Sequence, residues 1–381
     1  MNNTNNIYLS SFFLIICFLL FSIYQITHVI NQYYLGVDIG DARLYLDAFF
    51  NKELNLNEDL GYTILLTYLG GIMSSSWLVT IFIIQSIFPI LATFYLCIVL
   101  KQNGLHFNFF AVMLAATLWP FSLVFFADIL KDPIIQSLLI FFVADTIKLG
   151  KKGFFYFLRF ILISLLLFFL RPEFGILPIV VIIAFYIYNN FFQKKGQMAN
   201  KLFLIKSLLF IFISLISLAL IVELPNFATG RMGILSYGGN FSTFIYERSI
   251  SNSLNYLPIY FGIFYLHPIG LPSGLSSMAV FLNNILIFVL VLISINRYRF
   301  IYKASSLGDM NARYLIYICG FFIFLHLIMA LPVIIDSGGI SVRHRLPSLY
   351  FLLIALILLS GIRARILIII YLITLPLFLL I

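Results

Sequence analysis

Charge is what this sequence has least of. Charged residues make up 10% of its 381 residues, hydrophobic residues make up 62%, and the mean hydropathy is +1.09. Soluble domains carry about 25% charged residues, so the composition speaks against a soluble fold and predicts a polytopic membrane protein. Cysteine is nearly absent too. Cys17, Cys97 and Cys319 all lie inside apolar runs, which argues against a disulfide framework or a Cys-based metal site. His28, His106, His267 and His326 are scattered, without metal-ligand spacing. There is no phosphate-binding glycine loop, no GxSxG and no nucleotide fingerprint, which argues against ATP-driven transport by this chain alone. The net charge of +9 is spread between apolar runs. It fits membrane orientation rather than nucleic acid, and no nucleic-acid partner is expected.

In lipid every backbone polar group must be satisfied internally, so spans are helices or a closed barrel. Barrel strands alternate in short segments, whereas these runs are long and continuously apolar. The expected fold is therefore all-α: a polytopic transmembrane helix bundle forming one integral membrane domain over residues 1–381. A span needs roughly 20 apolar residues. Runs near 7–30, 75–100, 105–126, 133–149, 154–170, 175–192, 202–223, 278–296, 314–332, 347–362 and 366–381 give eleven candidates. The first run ends in no small-residue cleavage site and reads as a retained helix.

Charge orients this map. With the N-terminus inside, 15 basic residues fall on the inner side and 8 on the outer side, the sense of the positive-inside rule. Nearly all carboxylates fall outside, Asp145 and Asp309 excepted. The odd number of spans puts the C-terminus outside. Gly61–Met73 is apolar but short; it either lies in the interface or starts a long tilted second span. The largest outer loop is 224–277. Within it Leu257–Leu275 is apolar but broken by Pro258, Pro268 and Pro272, so a re-entrant or surface-lying segment is expected.

Charged groups left on the outer side carry the information, because orientation does not explain them. The acidic loop 31–60 holds Asp38, Asp41, Asp47, Glu53, Glu58 and Asp59, with only Arg43 and Lys52 opposed. Asp38 and Asp41 share a face if this segment is helical. Paired carboxylates suit a general base or a divalent metal; the sequence requires no metal, and the cofactor stays open. A solvated acidic loop is the plainer account. Asp128, Lys131 and Asp132 stand together before Pro133. Pro133 suits a first helical turn and Asp132 its N-cap, which leaves Asp128 and Lys131 unexplained. Arg171 and Glu173 sit between two apolar runs with almost no loop. Arg231 and Arg248 lie in the long loop, and Arg343, His344 and Arg345 stand before a span. Basic residues outside run against orientation. Phosphate is a physically good ligand for them, because Arg offers a bidentate fork; anchoring to anionic lipid is the alternative.

DARLYLDAF in the first outer loop, ADILKDP after the third span, LRPEFG, and a late RHRLP before a closing span together resemble bacterial multi-spanning glycan-assembly enzymes. These are the GT-C-like glycosyltransferases that use polyprenyl-phosphate sugars, and the O-antigen and capsule repeat-unit polymerases. The resemblance covers the layout of most of the chain. It implies that Asp41 or Asp38 is the first-loop catalytic base and that Asp128 or Asp132 is the second-loop acidic residue. It implies too that Arg343 and Arg345 lie near the lipid phosphate, joined by Arg171. The large soluble C-terminal domain of some members has no counterpart here, so recognition falls to the loops. The expected substrate is a polyprenyl-phosphate-linked sugar or oligosaccharide in the bacterial inner membrane, with the site on the periplasmic side. Partners are membrane lipid and, for a polymerase, a chain-length regulator or other assembly proteins.

The chemistry fits on its own terms. A glycosyl donor on a lipid phosphate leaves one or two phosphates whose charge Arg and Lys stabilise, while a carboxylate takes the acceptor's proton. The long loop and the separate arginine clusters favour repeat-unit polymerisation of surface polysaccharide over single-sugar transfer. A polysaccharide-unit flippase or other transporter is the rival. It calls for ionisable groups at mid-membrane depth and broken helices, and here Asp145, Lys206 and Glu223 all fall near span ends.

Overall fold

The computed structural model describes residues 2–39, 41–52, 60–103, 105, 107–117, 129–148, 154–170, 174, 285, 287–294, 296, 342–360, 366 and 369. Among the described residues the secondary structure is helical, with no strand. The helices are α1 (Asn2–Tyr34), α2 (Asp41–Phe50), α3 (Leu60–Ile72), α4 (Leu78–Gln102), α5 (Phe109–Thr117), α6 (Asp132–Lys148), α7 (Phe154–Leu170) and α8 (Val342–Ser360). A short 3-10 turn, Ser75–Trp77, leads into α4.

Of these, α1, α4, α5, α6, α7 and α8 sit on expected apolar runs, with α7 matching its run at both ends. The expected runs 175–192, 202–223 and 314–332 lie outside the described residues, as does nearly all of 366–381. So do the long loop 224–277 and its proline-broken segment. Among the described residues one helical stretch, Ser75–Gln102, is long and apolar enough to cross a membrane.

Two segments depart from the sequence reading. The acidic loop contains a helix, α2, whose Ala42, Tyr45, Leu46, Ala48 and Phe49 are buried while Arg43 is exposed. That spacing is an amphipathic stripe; six carboxylates in one segment obscured it. Gly61–Met73 is also not the start of the second span. Its helix, α3, ends at Ile72, and Met73–Trp77 turns the chain before α4 begins.

Local chemistry explains the breaks. At the end of α1, Val37 N–H donates to the Gln32 carbonyl at 3.1 Å and Gly36 N–H to the Tyr33 carbonyl at 3.0 Å. This pair of bonds is a Schellman cap. It needs a left-handed residue at Gly36, whose φ is +73°, a conformation glycine adopts without steric cost.

α6 is the central helix: it is buried around nearly its whole circumference and packs most closely along α4. α4 and α6 run in the same direction, since Gln85 meets Leu130 near both N-termini and Tyr95 meets Asp145 further along. The opposite faces of α4 and α7 are apolar and exposed. Ile84, Phe88 and Leu91 line one; Leu158, Leu162, Leu165 and Phe169 line the other, each set at helical i, i+4, i+7 spacing. Close packing of α3 needs two glycines. A Cβ on Gly61 would lie 1.9 Å from the Phe169 carbonyl oxygen of α7, and one on Gly70 would lie 2.0 Å from the Phe49 carbonyl oxygen of α2.

Candidate functional site

One end of the bundle gathers the C-termini of α1 and α7, the short helices α2 and α3, and the N-terminal parts of α4 and α6. At its centre is a chain of buried polar groups. The Tyr62 hydroxyl of α3 donates to Gln85 Oε1 of α4 at 2.7 Å, and Gln85 Nε2 donates to the Leu130 carbonyl just before α6. Tyr45 of α2 packs edge-on against Tyr62, with ring centroids 4.8 Å apart. Tyr45, Tyr62 and Gln85 are all buried. Pro89 stands one turn beyond Gln85 in α4. It lacks the N–H that would bond the Gln85 carbonyl, so the helix ladder is interrupted at the level of this junction.

Lys131 and Asp132 follow Leu130 directly, and both are buried, at 4% exposure. The N–H groups of Ile134 and Ile135 donate to the Lys131 carbonyl at 3.1 and 3.2 Å. Lys131 therefore occupies the cap position and Asp132 the first helical one, with Pro133 in the first turn as expected. This corrects the expectation of Asp132 as N-cap by one residue. A carboxylate in the first turn still meets the positive end of the helix dipole. Burial pushes the Tyr62 phenol up, its bond to Gln85 works the other way, and the nearby Asp132 carboxylate adds to the rise. Tyr62 thus stays a neutral donor beside a carboxylate.

The remaining expected residues divide clearly. Asp41 opens α2, but Asp38 lies in the connection before it and is exposed. The two therefore do not share a helical face; the Schellman cap ends α1 before Asp38, and α2 starts after it. Asp47, lower on α2, accepts from the Tyr33 hydroxyl at 2.7 Å and from Asn51 Nδ2 at 3.1 Å, tying α2 to the end of α1. Arg343, His344 and Arg345 form the first turns of α8. Asp128, Arg171, Arg231 and Arg248 lie outside the described residues. Among the described residues no three His, Cys, Asp or Glu side chains converge as a metal site.

The residues that join the site together are Tyr62 and Gln85; a search for charge passes over them, and over Gln136 in α6. Their signal was a neutral polar residue inside an apolar run. Gln136 is 1% exposed, and neither atom of its amide has a hydrogen-bond partner.

A second polar layer lies further along α4. Asp145 of α6, fully buried, pairs with Arg159 of α7 (Nε–Oδ2 2.9 Å) and accepts from the Tyr95 hydroxyl of α4 at 2.7 Å. The Arg159 guanidinium also covers the Tyr95 and Phe141 rings at 4.7 and 5.1 Å. Between the layers, the Thr93 and Tyr350 hydroxyls join α4 to α8.

No protein-family model matches this sequence, and no curated protein or solved structure matches it.

Proposed function

We propose that this chain is an integral membrane enzyme of bacterial surface-polysaccharide assembly. It has about eleven spans and transfers glycan from a polyprenyl-(pyro)phosphate carrier on the periplasmic side. Repeat-unit polymerisation is favoured over addition of a single sugar. The observation that carries this reading is the buried junction of Tyr62, Gln85, Lys131 and Asp132 at the end of the bundle where the acidic helix α2 also packs. The Asp132 carboxylate lies near enough to the Tyr62 phenol to act on it, and Lys131 precedes Asp132 in the chain; in this reading a lipid headgroup lies at that end of the bundle. Lipid is the medium that best suits the exposed apolar faces of α4 and α7, since soluble monomers rarely present such contiguous surfaces to water.

In this reading an acceptor hydroxyl attacks the anomeric carbon of the donor. The new C–O bond forms as the bond to phosphate oxygen breaks, and the phosphate leaves with the electron pair. Asp132 takes the hydroxyl proton, with Asp41 the alternative base, and Lys131 balances the leaving charge. Arg343 and Arg345 add phosphate contacts. In the eleven-span topology α8 runs parallel to α4. Tyr350 is level with Thr93, so the Arg343 and Arg345 backbones then stand about 10 and 8 Å further towards the outer side. Gln85 stands about 12 Å from Thr93 in that direction, close to the same level. The transporter reading gains nothing from Asp145, whose charge is held by Arg159 and Tyr95 as a clamp.

The test is the glycan profile of a deletion strain complemented with wild type or with Asp132→Asn, on a gel that resolves chain length. Loss of the ladder with one repeat unit retained identifies a polymerase. Loss of the single unit as well points to a transferase or flippase, which lipid-linked intermediates separate. An unchanged profile at full expression would sink the reading.

A further inference from the structure

Among the described residues, Gln136 is the buried side chain whose two polar atoms both lack a hydrogen-bond partner; the Thr67 hydroxyl lacks one as well. Gln136 is 1% exposed. Its neighbours follow a different rule. Ser137 donates to the Pro133 carbonyl at 2.6 Å, and Thr146 to the Phe142 carbonyl at 2.8 Å, so these hydroxyls of α6 close onto their own backbone, while Asp145 pairs with Arg159 and Tyr95. A buried amide without partners is unfavourable, because it loses its water bonds and gains nothing in return. A methionine or leucine would fill the same space without that cost.

The position of Gln136 gives the cost a purpose. It lies four residues after Asp132, so the two share one face of α6. Side chains on a helix lean towards its N-terminus, which brings the Gln136 amide towards the turn that carries Asp132. An amide offers two donors and an acceptor, and a carboxylate offers several acceptor sites. That set is poorly matched to an anion, which the carboxylate repels. It is well matched to neighbouring hydroxyl groups, which donate to Asp132 and Gln136 Oε1 while accepting from Gln136 Nε2.

We propose that Asp132 and Gln136 form a hydroxyl-binding site on α6, in which the Gln136 amide is held for a sugar ring of the lipid-linked glycan. The inference rests on the glycan-transfer reading and adds to it the residue that recognises the sugar. Lys131, on the preceding turn, faces the phosphate part of the same substrate.

The test uses the full chain. Gln136→Met and Gln136→Asn are expressed in the deletion strain, and each protein is purified in detergent for thermal unfolding. Gln136→Met is expected to unfold at or above the wild-type midpoint while its glycan ladder falls at least tenfold at equal protein level. Gln136→Asn, which keeps the amide one methylene shorter, is expected to retain part of the ladder. A full ladder from Gln136→Met would overturn the inference and leave glycan transfer standing. A lowered midpoint or failed accumulation of Gln136→Met would overturn it too, because the amide would then be paired in the resting protein. A normal ladder in the deletion strain itself would remove glycan transfer, and sugar as the ligand with it.

Discussion

The two polar layers of this bundle are built from similar materials and finished differently. Each uses a tyrosine hydroxyl to link α4 to a neighbouring helix, and Gln85 and Tyr95 set them about 15 Å apart along α4. In the layer around Asp145, carboxylate, guanidinium and phenol answer one another. In the layer around Asp132, Tyr62 and Gln85 are bonded, but Gln136 one turn away has no partner. A closed network specifies packing, whereas an open one keeps hydrogen-bonding capacity for something else. The comparison teaches that charge alone does not tell the two layers apart; the unpartnered Gln136 amide does.

The sharpest way to break the closed layer is Arg159→Leu. Asp145 has no exposure, whereas Arg159 is 38% exposed. Removing the arginine takes the ion pair from a buried carboxylate, a loss of about 3 kcal/mol. Asp145→Asn is expected to cost less, because Arg159 can turn its charge outwards. Thermal unfolding of the purified variants checks the order. An equal loss from both would mean that the pair is not held by the burial of Asp145.

Gln85→Leu makes the corresponding cut in the open layer. It takes the acceptor from Tyr62 and the donor from the Leu130 carbonyl, both buried, for a loss of about 2 kcal/mol. Unlike the Arg159 variant, it is expected to impair glycan assembly beyond its effect on protein level, because Lys131 and Asp132 follow Leu130 directly. A ladder that falls only in proportion to protein would place Gln85 with the clamp instead.

Gly61→Ala tests how the open layer is positioned. The new Cβ would meet the Phe169 backbone oxygen, so α3 must move away from α7, carrying Tyr62 from Gln85. Such overpacking costs about 1–3 kcal/mol. Gly71→Ala on the same helix meets nothing within 4 Å and is expected to be neutral or slightly stabilising, since alanine favours a helix. Equal unfolding midpoints for the two variants would show that α3 is not tightly seated.

How far the sequence reveals this structure depends on the kind of signal. The apolar runs mark α1, α4, α6, α7 and α8 because burying a long helix needs a long apolar stretch. α2 was hidden because its buried stripe of Tyr45, Leu46 and Phe49 shares a short segment with Asp41, Arg43 and Asp47, and charge density suggested a loop. Lys131 and Asp132 were legible as outer charges that orientation does not explain. Asp38 and Asp41 share a face only if the segment between them is helical, and α2 begins at Asp41. Gln136 was beyond reach. A glutamine in an apolar run is visible, but whether its amide is satisfied depends on neighbours far along the chain.

The smallest effect tests the contact that anchors α2 to the open end. The Tyr33 hydroxyl donates to Asp47, and burial, followed by the bond to and the charge of Asp47, pushes its phenol from 10.0 up to about 12. The folded protein therefore holds this proton where the unfolded chain has lost it. The stabilisation is complete below pH 10 and is lost as the pH rises from there through about 12, because in that window unfolding releases a proton. Tyr33→Phe is expected to lower the unfolding midpoint slightly at neutral pH, by about 1 kcal/mol for one part-buried hydrogen bond, and to flatten the alkaline decline. If wild type and Tyr33→Phe lose stability in parallel above pH 10, the Tyr33–Asp47 bond does not hold α2 against α1, and the acidic helix reaches the open layer through Tyr45 and Tyr62 alone.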